Sequence, residues 1–202
     1  MRAVVQRNAL SDGLVRITVT AGNAEAGVPG SVLVAGRQLP PIPERIVLHV
    51  AESTRRVPGP LSRCKTTSRA SEALALREAR RTGAFDAILL NPHGNVVETT
   101  ARNLFVVSSQ GIRTPPASEG ALEGITRDLA IELARKTGIE AKEAALDVPA
   151  ILHADEVFLT GSGVGVLGVH RVHARSYDPA PGPVTQGLAR AYADVLDKES
   201  KW

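Results

Sequence analysis

The sequence predicts an α+β fold, and three observations carry that expectation. Strand-like and helix-like patterns alternate irregularly along 202 residues. Short turns between neighbouring strand patterns imply hairpins where a doubly wound fold would need crossovers. Apolar residues make up 43% of the chain, enough for a packed core.

In chain order, LVRITVT (14–20) sets Val15, Ile17 and Val19 against Arg16, Thr18 and Thr20, the period-two alternation of a strand, and RIVLHV (45–50) repeats it. Between them GNAEAGVPGS and RQLPPIP read as loops. VPGPLSRC (57–64) is a Pro- and Gly-bearing connector, and it sets the expected domain boundary: a remnant of a small N-terminal domain over 1–60 and a second domain over 61–202. A helix is expected over 68–82, with an apolar stripe through Ala70, Ala73 and Leu74 that Arg77 interrupts, and with Gly83 at its end.

FDAILLN (85–91), the turn PHGN, one long strand VVETTARNLFVVSS (96–109), the turn QG and IRTPP (112–116) suggest an antiparallel meander. The next helix places Ile125, Leu129 and Leu133 on one face with Ala130 and Ala134 beside them. Thr126 is its expected N-cap, Asp128 lies in its first turn and Gly138 closes it. IEAKEAAL (139–146) is strand-like and VPAILHA (148–154) a short helix. EVFLTGSG (156–163) is a strand entering a glycine-rich loop, VGVLGVHRVHA (164–174) another strand, and 184–196 a last helix.

The bulk properties exclude several classes. The net charge of +3 is spread along the chain and aromatics are 3%, which gives no stacking surface for nucleic acid. No apolar run is long enough to span a bilayer, and MRAVVQRNALSDG has no apolar core followed by a cleavage site, so a cytoplasmic location is expected. Cys64 is the single cysteine, which rules out an internal disulfide and a cysteine-rich metal site. His170 and His173 fall on opposite faces of a strand, so no metal site is expected. Nucleophile-elbow, P-loop and dinucleotide signatures are missing.

A few residues carry candidate chemistry. Lys65 leaves the connector at a domain junction, where desolvation makes an amine nucleophilic, although lysine is also a common surface residue. Glu98 stands in an otherwise apolar and hydroxylic strand; a carboxylate buried there needs a partner, and a protonated pyridine nitrogen would be one, while the plainer readings are a salt bridge to Arg102 or an exposed position at the strand end. Gly124-Ile125-Thr126 offers free amides, a hydroxyl and a close backbone approach at a helix start, the features of an anion site and equally of a plain cap. Ser162 in TGSG (160–163) offers a second hydroxyl among amides.

The order of these features is specific. KTTSR, then AILLNxxGxVxExxxxNLF, then LxGITRD and ADEVFLTGS resemble the fold-type IV pyridoxal-phosphate enzymes, which include branched-chain and D-amino-acid aminotransferases and 4-amino-4-deoxychorismate lyase. The resemblance runs from about Leu14 to the C-terminus. It implies pyridoxal 5'-phosphate as cofactor, Lys65 as the lysine of the internal aldimine and carrier of the α-proton, and Glu98 as partner of the pyridine nitrogen. It further implies a phosphate cradle of the Ile125 and Thr126 amides, the Thr126 hydroxyl and Ser162. Arg16 in LVRI matches an arginine that some branched-chain aminotransferases use for the substrate carboxylate. Arg69 in KTTSR resembles the K-x-x-N-R spacing of some lyases, with Ser68 in place of asparagine.

Against the family pattern the chain lacks the segment ahead of Leu14 that carries a phosphate-binding arginine, so the small N-terminal domain is expected to be truncated while the C-terminal cofactor domain is complete. The activity implied is amino transfer between an amino acid, with branched-chain amino acids among the candidates, and a 2-oxo acid, by a homodimer. The alternatives are the lyase reaction, releasing pyruvate and 4-aminobenzoate, and a shortened, catalytically silent member.

Overall fold

The computed structural model describes residues 1–11 and 13–199. The chain divides into two units, Met1–Ile42 and Pro43–Trp202. The division falls ahead of the 57–64 connector, because the segment around RIVLHV is built into the second unit's sheet.

In the first unit a short helix α1 (Arg2–Arg7) precedes strands β1 (Gly13–Val19) and β2 (Val32–Gln38). The strands form an antiparallel hairpin in register from Gly13↔Gln38 to Val19↔Val32. The expected strand at 14–20 is β1. The stretch RQ, read as loop, instead closes β2, since Arg37 and Gln38 pair across to Leu14 and Gly13. Ile17, Val19, Val32 and Leu33 are exposed on this hairpin.

The second unit contains β3 (Val47–Val50), α2 (Ala70–Arg81), β4 (Asp86–Leu90), β5 (Val96–Thr99), β6 (Asn103–Ser108), β7 (Gly111–Thr114) and α3 (Ile125–Lys136). These are followed by β8 (Ala141–Glu143), α4 (Val148–Leu152), β9 (Glu156–Gly161), β10 (Gly165–Gly168), β11 (Arg171–Val172), β12 (Arg175–Ser176) and α5 (Pro183–Glu199). Among the described residues they build two five-stranded sheets, ordered β12-β11-β3-β4-β5 and β10-β9-β6-β7-β8.

Hairpins and crossovers are mixed. β4–β5 and β6–β7 are antiparallel as expected, while α2 links the parallel pair β3–β4 and α3 links the parallel pair β7–β8. Three apolar clusters define the layers. Leu48, Ile88 and Val96 of one sheet meet Leu104, Val106 and Leu159 of the other in a central core. Phe105, Val107 and Phe158 pack outward under α3 and α5, and the rings of Phe105 and Phe158 stack at 4.6 Å. Ala87 and Leu89 pack outward under Ala75 and Ala79 of α2.

Three sequence expectations change here. The single strand 96–109 is two strands in different sheets, so the meander is split between layers. The stripe of α2 lies on Glu72, Ala75 and Ala79, while Ala70, Ala73 and Leu74 are exposed. The segment 164–174 is not one strand: it breaks after Gly168, and β11 joins the sheet of β3 instead. Gly83 and Gly138 do follow their helices with φ of 75° and 80°, the left-handed conformation that ends a helix without a Cβ penalty.

Candidate active site

The break between β5 and β6 sets the site. Asp86, 1% exposed at the start of β4, accepts hydrogen bonds from Thr99 Oγ1 at 2.9 Å, the Thr100 amide at 3.2 Å, Thr100 Oγ1 at 2.5 Å and Arg102 Nη1 at 2.8 Å. A buried carboxylate with so many donors is satisfied only if the chain turns around it. The turn, closed by the Thr99 amide on Arg102 O at 2.8 Å, passes the chain from one sheet to the other. Glu98 stands just before it and Asn103 just after.

Glu98 is buried. Its Oε2 accepts from Asn103 Nδ2 and from the Leu122 amide, each at 3.2 Å. Its Oε1 lies 3.4 Å from Arg56 Nη2. Burial pushes the Glu98 pKa up, while the Arg56 charge, the Leu122 amide and the Arg69 charge pull against that rise and Glu72 adds to it.

Asn103 Nδ2 also donates to Leu122 O at 2.7 Å. Its Oδ1 sits against Gly124 so closely that a Cβ on Gly124 would overlap it. Asn103 therefore binds β6 to the approach of α3, and a side chain at 124 would have to displace it.

Gly124, not Thr126, is the N-cap of α3, and no side chain caps the helix. Thr126 is the second helical residue; it is buried, and its hydroxyl has no hydrogen bond among the described residues. The amides of Ile125, Thr126 and Arg127 likewise find no acceptor there. Free N–H groups at the positive end of a twelve-residue helix bind an anion. Ile125, expected on the apolar face, is exposed at 87% beside them.

The loop ahead of α3 is fixed by Glu119, whose Oε2 accepts from Asn91 at 2.5 Å and Asn95 at 3.0 Å. At the other end, Arg127, 2% exposed, donates to Pro115 O at 3.0 Å and pairs with Glu143 at 2.9 Å.

Lys65 is exposed, and no hydrogen bond or ion pair engages it among the described residues. Its flanks are tied to the Glu98 region. Arg56 Nη2 donates to Ser62 O at 3.1 Å. Arg63 pairs with Glu123, one residue before Gly124, at 3.0 Å. Arg69 donates to Thr100 O, two residues past Glu98.

Ser162 is exposed in the turn after β9. β9 pairs with β6 so that Thr160 faces Asn103. The turn thus stands at the Asn103 end of the sheet, with Gly161 against Arg102. Arg16 is exposed in β1 of the first unit, opposite Ala35.

Within the second unit, then, Glu98 and the approach to α3 meet at Asn103, the flanks of Lys65 are tied to Arg56, Glu123 and Thr100, and the Ser162 turn stands at the Asn103 end of the sheet. Arg69 is committed to a backbone carbonyl. Sequence reasoning missed Arg56, Glu72 and Asn103. Asn103 stood in the NLF motif without a role. Arg56 stood in an Arg-Arg pair that looks like solvated charge.

These residues fit pyridoxal phosphate on the structure's own terms: an anion cradle with unpartnered amides and too tight for a Cβ at Gly124, a buried carboxylate, and an unpaired amine. A family model described as amino-transferase class IV matches residues 1–172. The chain is 32% identical to the branched-chain-amino-acid aminotransferase of Salmonella typhimurium over 221 aligned positions, covering 100% of this chain and 71% of that protein.

Among solved structures, the T.th. branched-chain amino acid aminotransferase with pyridoxamine 5'-phosphate superposes with a TM-score of 0.80 at 29% identity, covering 96% of this chain and 68% of that one. A Legionella pneumophila protein described as a "Putative 4-amino-4-deoxychorismate lyase" superposes with a TM-score of 0.86 at 25% identity, covering 97% of this chain and 73% of that one.

Proposed function

The chain belongs to the class IV aminotransferase family, and from that premise we propose that it is a pyridoxal-phosphate enzyme transferring an amino group between an amino acid, branched-chain by preference, and a 2-oxo acid. The observation that carries the reading is the meeting of a buried carboxylate, Glu98, and an uncapped helix N-terminus at Asn103, with Arg69, four residues past the unpaired Lys65, bonded to the turn between the two sheets. The Ile125 and Thr126 amides, the Thr126 hydroxyl and Ser162 hold the phosphate. Glu98 would stand as the partner of the ring nitrogen, and Lys65 would be the amine that holds the cofactor's aldehyde carbon and the group that moves the α-proton.

When bound, the cofactor supplies an electrophilic carbonyl and an electron-withdrawing ring. The protein's part is to place the Lys65 Nζ where it reaches that carbonyl and to set a negative charge at Glu98. Arg16 is assigned to the substrate carboxylate and the active species is taken as a homodimer. In that species the exposed Ile17, Val19, Val32 and Leu33 become covered. Sizing chromatography showing a clean monomer would remove the dimer from the reading. We place domain work as the family does, with the cofactor handled by the unit after Pro43.

The test is absorption of the purified protein with added pyridoxal phosphate, before and after borohydride, in wild type and Lys65→Ala. A visible band lost on reduction, with the pyridoxyl mass on the Lys65 peptide and neither seen in Lys65→Ala, supports the reading. No band in wild type rejects it in favour of a catalytically silent member.

The likeness to the Legionella protein, together with Arg69 four residues after Lys65, favours the lyase as the second reading. Pyruvate released from aminodeoxychorismate without any 2-oxo acid acceptor would select it.

A further inference from the structure

The residue that ties the site together has no part in the chemistry assigned above. Arg56 lies in the loop after β3, and its guanidinium reaches four segments. Nη1 meets Glu72 Oε1 of α2, and Nη2 donates to Ser62 O at 3.1 Å. The same Nη2 stands 3.4 Å from Glu98 Oε1, and Nε donates to Gly120 O at 3.3 Å. Glu72 is itself buried on the inner face of α2, where an alanine would serve the packing, and its second oxygen accepts from Ser71 Oγ at 3.1 Å. Two buried carboxylates therefore share one guanidinium. The Glu72 contact is the direct hydrogen bond, and the Glu98 contact is the longer, purely ionic one.

We propose that Arg56 and Glu72 form a positioning pair for Glu98: Glu72 anchors the guanidinium, and the guanidinium keeps Glu98 charged and aimed while drawing the Lys65 connector onto it through Ser62. The proposal rests on Glu98 being the carboxylate that faces the cofactor ring.

A ring nitrogen and a buried carboxylate share one proton, and the side that holds it depends on which neighbours stabilise the carboxylate anion. The groups facing Glu98 are Arg56 from the loop after β3, Glu72 from α2, Arg69 ahead of α2, the Asn103 amide from β6 and the Leu122 amide. Of these, Arg56 and Glu72 act in opposite directions. Arg56 favours the anion; Glu72 disfavours it, both by its own charge and by occupying the near arm of the guanidinium.

Opposite signs give the test. Glutamate is labelled with carbon-13 at the carboxyl, and the Glu98 resonance, assigned through Glu98→Gln, is titrated in the cofactor-free protein. Glu72→Gln, which keeps shape and packing, is expected to move the Glu98 midpoint down by about one pH unit. Arg56→Met is expected to move it up by a similar amount, and Arg56→Lys up by less.

In the loaded protein, the nitrogen-15 shift of a labelled cofactor ring is expected to report a protonated nitrogen in wild type and Glu72→Gln, and a less protonated one in Arg56→Met. If Arg56→Met does not fold, Glu72→Gln and Arg56→Lys decide the matter. A Glu98 midpoint that stays fixed, or moves the same way in Glu72→Gln as in the Arg56 variants, overturns the proposal while cofactor binding stands. Opposite shifts in a protein that takes up no cofactor uphold the electrostatic pairing and reject the enzyme reading instead.

Discussion

Replacing Gly124 by alanine isolates the contact that joins the two halves of the site. At φ −81° and ψ 135° the backbone suits any residue, so the substitution introduces no backbone strain. The obstacle is Asn103 Oδ1, which the new methyl would overlap. To admit it, Asn103 must swing away and lose its hydrogen bond to Leu122 O at 2.7 Å and its bond to Glu98 Oε2 at 3.2 Å.

A neutral bond contributes about 1 kcal/mol and a bond to a carboxylate about 1.5 kcal/mol at its weaker end, so Gly124→Ala should destabilise by about 2–3 kcal/mol. Asn103→Ala removes the same two bonds and should cost about the same. In the double variant the methyl enters space already vacated. The pair should then cost little more than Asn103→Ala alone, leaving a coupling of about 2 kcal/mol against the sum of the singles. Urea unfolding followed by far-UV circular dichroism measures all four proteins. Additive losses would refute the reasoning, because they would mean that Gly124 and Asn103 act on separate parts of the structure.

Two further expectations follow from acids held by several donors. Glu78 of α2 accepts the amides of Glu52 at 2.9 Å and Ser53 at 3.0 Å and meets His49 Nε2 at 2.7 Å. Burial raises its pKa, but the Ser53 side chain, the Glu52 amide, His49 and the Ser53 amide outweigh that and bring it down to about 2. Because the folded pKa is depressed, its stabilisation is complete above the ordinary value of 4.5 and drains as pH falls toward 2. Glu78→Gln should therefore lose about 1–3 kcal/mol at neutral pH, and its melting temperature should converge on wild type near the acid end. A constant gap across the pH range would refute this. Asp86→Asn sets a donor among the hydroxyl, amide and guanidinium donors that converge on Asp86 and should cost about 3–5 kcal/mol. Hydrogen exchange at the Thr100 amide should accelerate with it, and unchanged protection would count against Asp86 as the centre of the turn.

The comparison of sequence with structure divides along the range of the interactions. Strand β9 and the ends of α2 at Gly83 and of α3 at Gly138 depend on patterns a few residues long and fall where the pattern puts them, while the start of α3 lies two residues earlier than the Thr126 cap implied. The break at 100–102 does not show in VVETTARNLFVV, which carries neither the glycine nor the proline that would mark a turn. Its cause is Asp86, ten residues before Val96, collecting the Thr99 and Thr100 hydroxyls. The face of α2 is equally hidden, because alanines surround the helix and the buried choice is settled by Glu72 meeting Arg56 and by Ala75 and Ala79 meeting β4. For the site, the motif residues Lys65, Glu98, Ile125, Thr126 and Ser162 were legible as a series. The arginine that links Glu98 to Glu72, Ser62 and Gly120 was not, since nothing in the local sequence distinguishes Arg56 from Arg55.

That arginine also bears on how Lys65 can move. Residues 63–68 are all exposed, so no apolar packing fixes the segment that carries the amine. Its two ends are held instead, at Ser62 by Arg56 and at Arg69 by Thr100 O. The Arg63–Glu123 pair between them is more than half exposed on the arginine side and adds at most about 1 kcal/mol. The arrangement is a short tether with fixed anchors: in the enzyme proposed above it would hold the Lys65 segment at both ends while leaving the exposed amine between them unpacked. Reach with confinement is what the Arg56 and Arg69 contacts supply.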